Sequence, residues 1–138
     1  HQLNAYPSVG ARSLHQSEVV QALLPHTQAG DRMVVWGWQC RYYVEAQLPH
    51  GTAENHSERC IFEHAMQATY RERYLRDIRR TRPVVFVDAV GKNSHWVQDT
   101  TTQRIGVSFP ELAAYIERHY VLKGSYDDAR LYIRRDRY

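Results

Sequence analysis

Apolar residues fall along this chain in two kinds of pattern. Two short runs are continuous, Met33-Val34-Val35-Trp36-Gly37-Trp38 and Val84-Val85-Phe86-Val87-Asp88-Ala89. Both are rich in β-branched or aromatic side chains, and each follows a turn signal, Gly30-Asp31 or Arg82-Pro83. Runs of this kind suit strands buried on both faces, as in a parallel sheet covered by helices. Elsewhere the apolar positions recur at helical spacing. Val19, Val20, Leu23 and Leu24 give a core face to a helix that starts near Ser13, where Ser13 and Gln16 have capping-box spacing. Residues 40–47 predict a short helix stopped by Pro49 and Gly51. Phe62, Met66, Tyr70, Tyr74 and Ile78 form one ridge at i+4 spacing, which predicts a single long helix over residues 57–80. Such a helix crosses the sheet and returns the chain in parallel, with a right-handed connection. Pro110 opens another helix, with Leu112, Ala113, Ile116 and Tyr120 on its apolar side. Residues 121–126 and 130–134 predict a strand pair that turns at Asp127-Asp128-Ala129.

The order α-β-α-α-β-α-β-β predicts an α/β fold. Its sheet is expected to be small, open and Rossmann-like, mostly parallel with a C-terminal antiparallel hairpin, with helices packed on it. Residues 1–12, interrupted by Pro7, Ser8 and Gly10, read as a linker, and 13–138 as one domain. Residues 51–59 are polar and read as the least ordered stretch. Residues 91–108 lack periodicity and read as a functional or mobile loop. No stretch approaches the roughly 20 apolar residues of a membrane helix, and no basic segment followed by an apolar one opens the chain. It starts at His1 without Met and reads as a processed product or an excised piece.

Charge adds one question. The net charge is +3, and only Lys92 and Lys123 among the 18 basic residues are lysines. Arginines cluster at Arg79-Arg80-Thr81-Arg82 and Arg134-Arg135-Asp136-Arg137. They suit a phosphate or anionic-lipid surface, or simply a helix end and a solvated tail. Interruption by acids and the lack of an aromatic stacking pattern argue against nucleic acid.

Ligands of open α/β sheets bind outside the carboxyl ends of the strands. The candidate ligand-binding residues are therefore Trp36, Trp38, Tyr42, Asp88, His95 and Trp96. The two indoles, with Gly37 between them, make either a sugar platform or a cap on the core. Asp88 either binds a hydroxyl or cation, or caps the loop that follows. His95 and Trp96 either line the same edge or pack their own loop. Gly91-Lys92-Asn93-Ser94 lacks the spacing of a phosphate loop. His56, Cys60 and His64 are spaced four apart, with His50 or Cys40 as a fourth ligand, but this fits no standard structural zinc site. No metal and no cofactor are expected. Asn55-His56-Ser57 fits a glycosylation sequon. Cys40 and Cys60 form no redox motif and are either bridged or two thiols. A soluble enzyme built on His95, Asp88 and Tyr42 would need those groups within hydrogen-bond reach.

Gly30-Asp31-Arg32-Met33-Val34-Val35-Trp36-Gly37-Trp38, Tyr42-Tyr43 and Arg82-Pro83-Val84-Val85-Phe86-Val87-Asp88 carry a family resemblance. So does the tail, Phe109-Pro110-Glu111-Leu112-Ala113-Ala114-Tyr115-Ile116, Tyr120-Val121-Leu122 and Arg130-Leu131-Tyr132-Ile133-Arg134-Arg135. Together they resemble the soluble C-terminal domain of bacterial polytopic GT-C class glycosyltransferases, relatives of protein mannosyltransferases and lipid-A aminoarabinose transferases. The resemblance spans residues 13–135, without 51–59 and 91–107. It implies a fragment on the extracytoplasmic face of the membrane, partnered with the membrane portion of its parent and with a glycan or lipid-linked sugar. The donor would be a polyprenyl-phosphate-linked sugar. The family's catalytic acid lies in a loop near the membrane region, so no catalytic residue is carried over and the fragment alone is expected to be inactive. An oxidising location would favour a Cys40–Cys60 bridge. The alternative is a free-standing sugar- or nucleotide-binding module.

Overall fold

The computed structural model describes residues 16–54, 57–91 and 104–138. The two continuous apolar runs form β1 (Met33–Trp36) and β2 (Val85–Asp88), buried at every position. They pair in parallel, from Met33 opposite Val85 to Trp36 opposite Asp88. The chain is an α/β protein whose sheet has helices on both faces, the arrangement that continuous apolar strands require.

On one face, Met33, Val35, Val85, Val87, Leu131 and Ile133 pack with Val19, Val20 and Leu23 of α1 (Glu18–Leu23) and with Tyr42, Tyr43 and Ala46 of α2 (Arg41–Ala46). On the other, Val34, Trp36 and Phe86 meet four helices. These are α3 (Glu58–Ile61), α4 (Gln67–Thr81), α5 (Ile105–Ser108) and α6 (Pro110–His119). Alternate residues of each strand serve opposite layers, as the two-residue period of a strand demands.

The C-terminal hairpin consists of β3 (Tyr120–Tyr126) and β4 (Ala129–Arg134). Its turn residues Asp127 and Asp128 both have positive φ, 52° and 66°. That is the two-residue turn whose twist matches antiparallel strands. Lys123 is the extra residue of a bulge between Leu122 and Gly124. The strand order is β1-β2-β4-β3, with β4 antiparallel to β2 and to β3. The sheet is therefore mixed, with one parallel pairing rather than a mostly parallel set. The hairpin is no appendage, because Leu131 and Ile133 place β4 at the centre of the sheet.

Three local expectations change. Ser13 lies outside the described residues, and the residue before α1 is Ser17. Ser17 binds Glu45 of α2 instead of capping its own helix: its N–H donates to Oε1 at 2.6 Å and its hydroxyl to Oε2 at 3.2 Å. The long helix over residues 57–80 is broken into α3 and α4. Backbone turns extended at Phe62, and side chains of α4 take the carbonyls that α3 leaves open. Gln67 Nε2 donates to the carbonyls of Cys60 and Ile61, and Arg71 Nε to that of Cys60. Phe62 and Met66 are exposed, Tyr70 packs at the margin of the core, and the apolar ridge is fully buried only from Tyr74.

Residues 51–54, expected to be poorly ordered, are built into the fold. Met33 N–H donates to the Pro49 carbonyl, and Gly51 N–H donates to the Met33 carbonyl. Val35 N–H donates to the Tyr43 hydroxyl at 2.7 Å. The open side of β1 is thus covered, which removes an unpaired strand edge. Gly51 is required by packing: a Cβ there would lie 2.8 Å from Pro83 Cγ and from Val34 Cγ2.

Candidate functional site

The carboxyl ends of β1 and β2 are where sequence reasoning places a ligand. The two strand ends lean on each other. Ala89 N–H donates to the Trp36 carbonyl at 2.8 Å, and Gly37, at φ 115°, lies against the backbone of Ala89 and Val90. Ser57 closes the other side: its N–H donates to the Gly37 carbonyl, and its hydroxyl accepts the Gly37 N–H at 3.2 Å. Its Oγ lies 3.3 Å from the Tyr74 hydroxyl.

Trp36 is fully buried, edge-on to Tyr74 with ring centroids 5.5 Å apart and tilted against Phe109 at 5.9 Å. Its ring is a core element with no face left for a sugar. Trp38 is half-buried and packs against the same cluster. Tyr42 is also buried, but in the layer on the other side of the sheet, with the Arg41 guanidinium 5.5 Å over its ring. Burial pushes its phenol up from the ordinary tyrosine range. His95 and Trp96 lie outside the described residues.

Asp88 has no solvent-exposed surface. Oδ1 accepts the Val90 N–H at 3.3 Å, and Oδ2 accepts the Ile105 N–H at 3.4 Å. Arg104 Nη1 lies 3.8 Å from Oδ2. Burial pushes the Asp88 carboxyl up to about 6, against the pull of Arg104 and of those two N–H donors. Arg104 also donates from Nη2 to the Asp128 carbonyl at 2.6 Å. Asp88 and Arg104 therefore fasten three chain segments: the exit of β2, the start of α5 and the β3–β4 turn. The aspartate is engaged with backbone N–H groups and with Arg104. Sequence reading missed Arg104, whose only signal is an arginine just before the apolar Ile105 in an aperiodic stretch.

Tyr42 and Asp88 occupy opposite layers, so no shared catalytic site forms from them. Among the described residues no group of three His, Cys, Asp or Glu side chains is placed to hold a metal. Cys60 is buried in α3 and His64 lies beyond its end, so the single helix face that would align them is absent. His56 is outside the described residues. Cys40 and Cys60 are not bonded to each other. Burial pushes the Cys60 thiol up to about 12, which suppresses thiolate chemistry.

Open surface lies elsewhere. A groove of about 580 Å³ between α4 and the start of α6 is lined by Arg71, Leu75, Arg79 and Phe109, among others. The Arg71 guanidinium stands 5.2 Å over the Phe109 ring. No family model matches this chain, and neither curated proteins nor solved structures include a match.

Proposed function

We propose that this chain is an accessory domain of a membrane glycosyltransferase that uses a polyprenyl-phosphate-linked sugar, and that it has no complete active site of its own. It would stand on the extracytoplasmic face of the membrane, against the membrane portion of its parent, and contribute to holding an acceptor or glycan. One observation supports this most. The scattered segments that carry the family resemblance come together as a single scaffold: β1, β2, β4, β3 and α6. Their conspicuous residues, Trp36, Asp88, Leu112, Ile116 and Tyr120, are spent on burial and backbone fastening. In the proposed reading such a scaffold would serve chemistry supplied by another part of the protein. No helix of the described residues is long and apolar enough to cross a membrane, so membrane helices would have to come from that other part.

The reading frame around the codon for His1 tests this directly. The expected result is an in-frame upstream region with several membrane spans. A frame without any membrane span overturns the proposal. It would favour instead a free-standing sugar- or nucleotide-binding module, for which the groove beside Arg71, Arg79 and Phe109 is one open surface.

A further inference from the structure

The two arginine clusters of the sequence meet at the amino end of β2, opposite the carboxyl edge of the parallel strands. A notch of about 160 Å³ there is lined by Arg82, Arg118, His119, Arg134 and Arg135, with Tyr115, Tyr120 and Asp136. Its frame is rigid. Arg82 closes α4 in a left-handed conformation, φ 47°, and its N–H donates to the Ile78 carbonyl. Arg134 donates from Nη1 to the Arg82 carbonyl, and the Tyr120 hydroxyl donates to the Pro83 carbonyl.

The charges in the notch are unevenly matched. Asp136 is the carboxylate among its lining residues, and Arg134 grips it with both arms, Nε to Oδ1 at 2.6 Å and Nη2 to Oδ2 at 3.2 Å. That hydrogen-bonded pairing holds the Asp136 carboxyl below the usual range. The last carbonyls of α6 would repel an anion, but Arg135 covers two of them: Nε donates to the Arg118 carbonyl and Nη2 to that of Glu117. The side chains of Arg82 and Arg118 are exposed and make no ion pair or hydrogen bond among the described residues, although the Arg82 charge adds at longer range to the pull of Arg134 on the Asp136 carboxyl. Nearby, the Arg79 guanidinium stands 5.8 Å over the Tyr115 ring and extends the positive field along α4.

We infer that this notch binds a phosphate group, with the exposed Arg82 and Arg118 as its two ligands and Arg135 as the shield over the helix end. Planar guanidinium forks match phosphate oxygens and remain charged at any working pH. The phosphate could belong to an anionic lipid headgroup or be free in solution, and the two are separable. The inference does not depend on the proposed parent enzyme.

The test uses the 138-residue chain. One arm measures co-sedimentation with vesicles of phosphatidylcholine alone and of phosphatidylcholine mixed with phosphatidylglycerol. The other titrates inorganic phosphate and follows arginine side-chain resonances by NMR. Arg82→Gln and Arg118→Gln are combined in one variant, since neither side chain makes a hydrogen bond or ion pair among the described residues. Arg41→Gln, on the far layer, is the charge control. For a headgroup site, mixed vesicles bind, pure phosphatidylcholine does not, and the double variant binds roughly 30-fold more weakly. For a soluble phosphate, inorganic phosphate shifts the notch arginines and vesicles do not sediment the chain. Neither response, or an equal loss per charge removed in Arg41→Gln, overturns the inference.

Discussion

Asp88 ends β2 with its carboxyl out of reach of water, and its partners decide what it does. Two backbone N–H groups and Arg104 hold it, yet burial still favours the neutral acid. A folded-state value of about 6 against 3.8 means that the folded chain binds the proton more tightly than the unfolded chain. The stability linked to this proton is complete below pH 3.8 and is lost as pH rises through about 6, an effect of about 3 kcal/mol. Asp88→Asn cannot titrate. Urea unfolding across that range should therefore show the variant gaining on the natural chain as pH rises. A difference that stays constant with pH would contradict the assignment. Trp36 teaches the same lesson about single residues. A tryptophan at a strand end suits a platform or a core, and only its contacts with Tyr74 and Phe109 distinguish the two.

At the scale of elements, local signals carried far. The apolar runs became β1 and β2, Pro110 begins α6, and the Asp127-Asp128 pair turns the hairpin. Each of these depends on neighbours in the chain: side-chain period, proline's missing N–H, tolerance of positive φ. The hairpin turn invites a test. Asp128 holds φ 66° without being glycine, and its buried Oδ2 has no hydrogen-bond partner. Asp128→Gly removes both costs and leaves the carbonyl that Arg104 uses. It should raise stability by about 1 kcal/mol, seen as a higher urea midpoint at unchanged slope. A lower midpoint would mean that the carboxylate does something the hydrogen bonds do not show. The break between α3 and α4 was not legible, because the i+4 apolar ridge runs straight through it. The side chains that end α3 come from Gln67 and Arg71, up to 11 residues away.

Across the whole molecule, distant segments lock the layers together. Arg137 grips Asp31 with both arms, at 3.2 Å and 2.6 Å, across 106 residues of sequence. Burial raises the Asp31 carboxyl, but Arg137 and the Gln28 N–H more than offset this and hold it below the usual range. The pair is hydrogen-bonded through both arms, so a cycle of Asp31→Ala, Arg137→Ala and the double variant should show a favourable coupling, the double variant losing less than the sum of the two single losses. Additive losses would show that the pair does not tie the chain end to the turn before β1.

By itself the sequence determined the fold class, the strands, most helix positions and the turn chemistry, because those follow from side-chain period and backbone preference over a few residues. Tertiary structure alone decided that β4 lies between β2 and β3, that residues 49–51 cover the edge of β1, and that Asp88 faces Arg104 while Tyr42 faces the opposite layer. It also brought Arg82 to Arg134 and Arg135. These pairings join residues far apart in the chain, and their geometry is set by how whole faces pack, which no local pattern encodes.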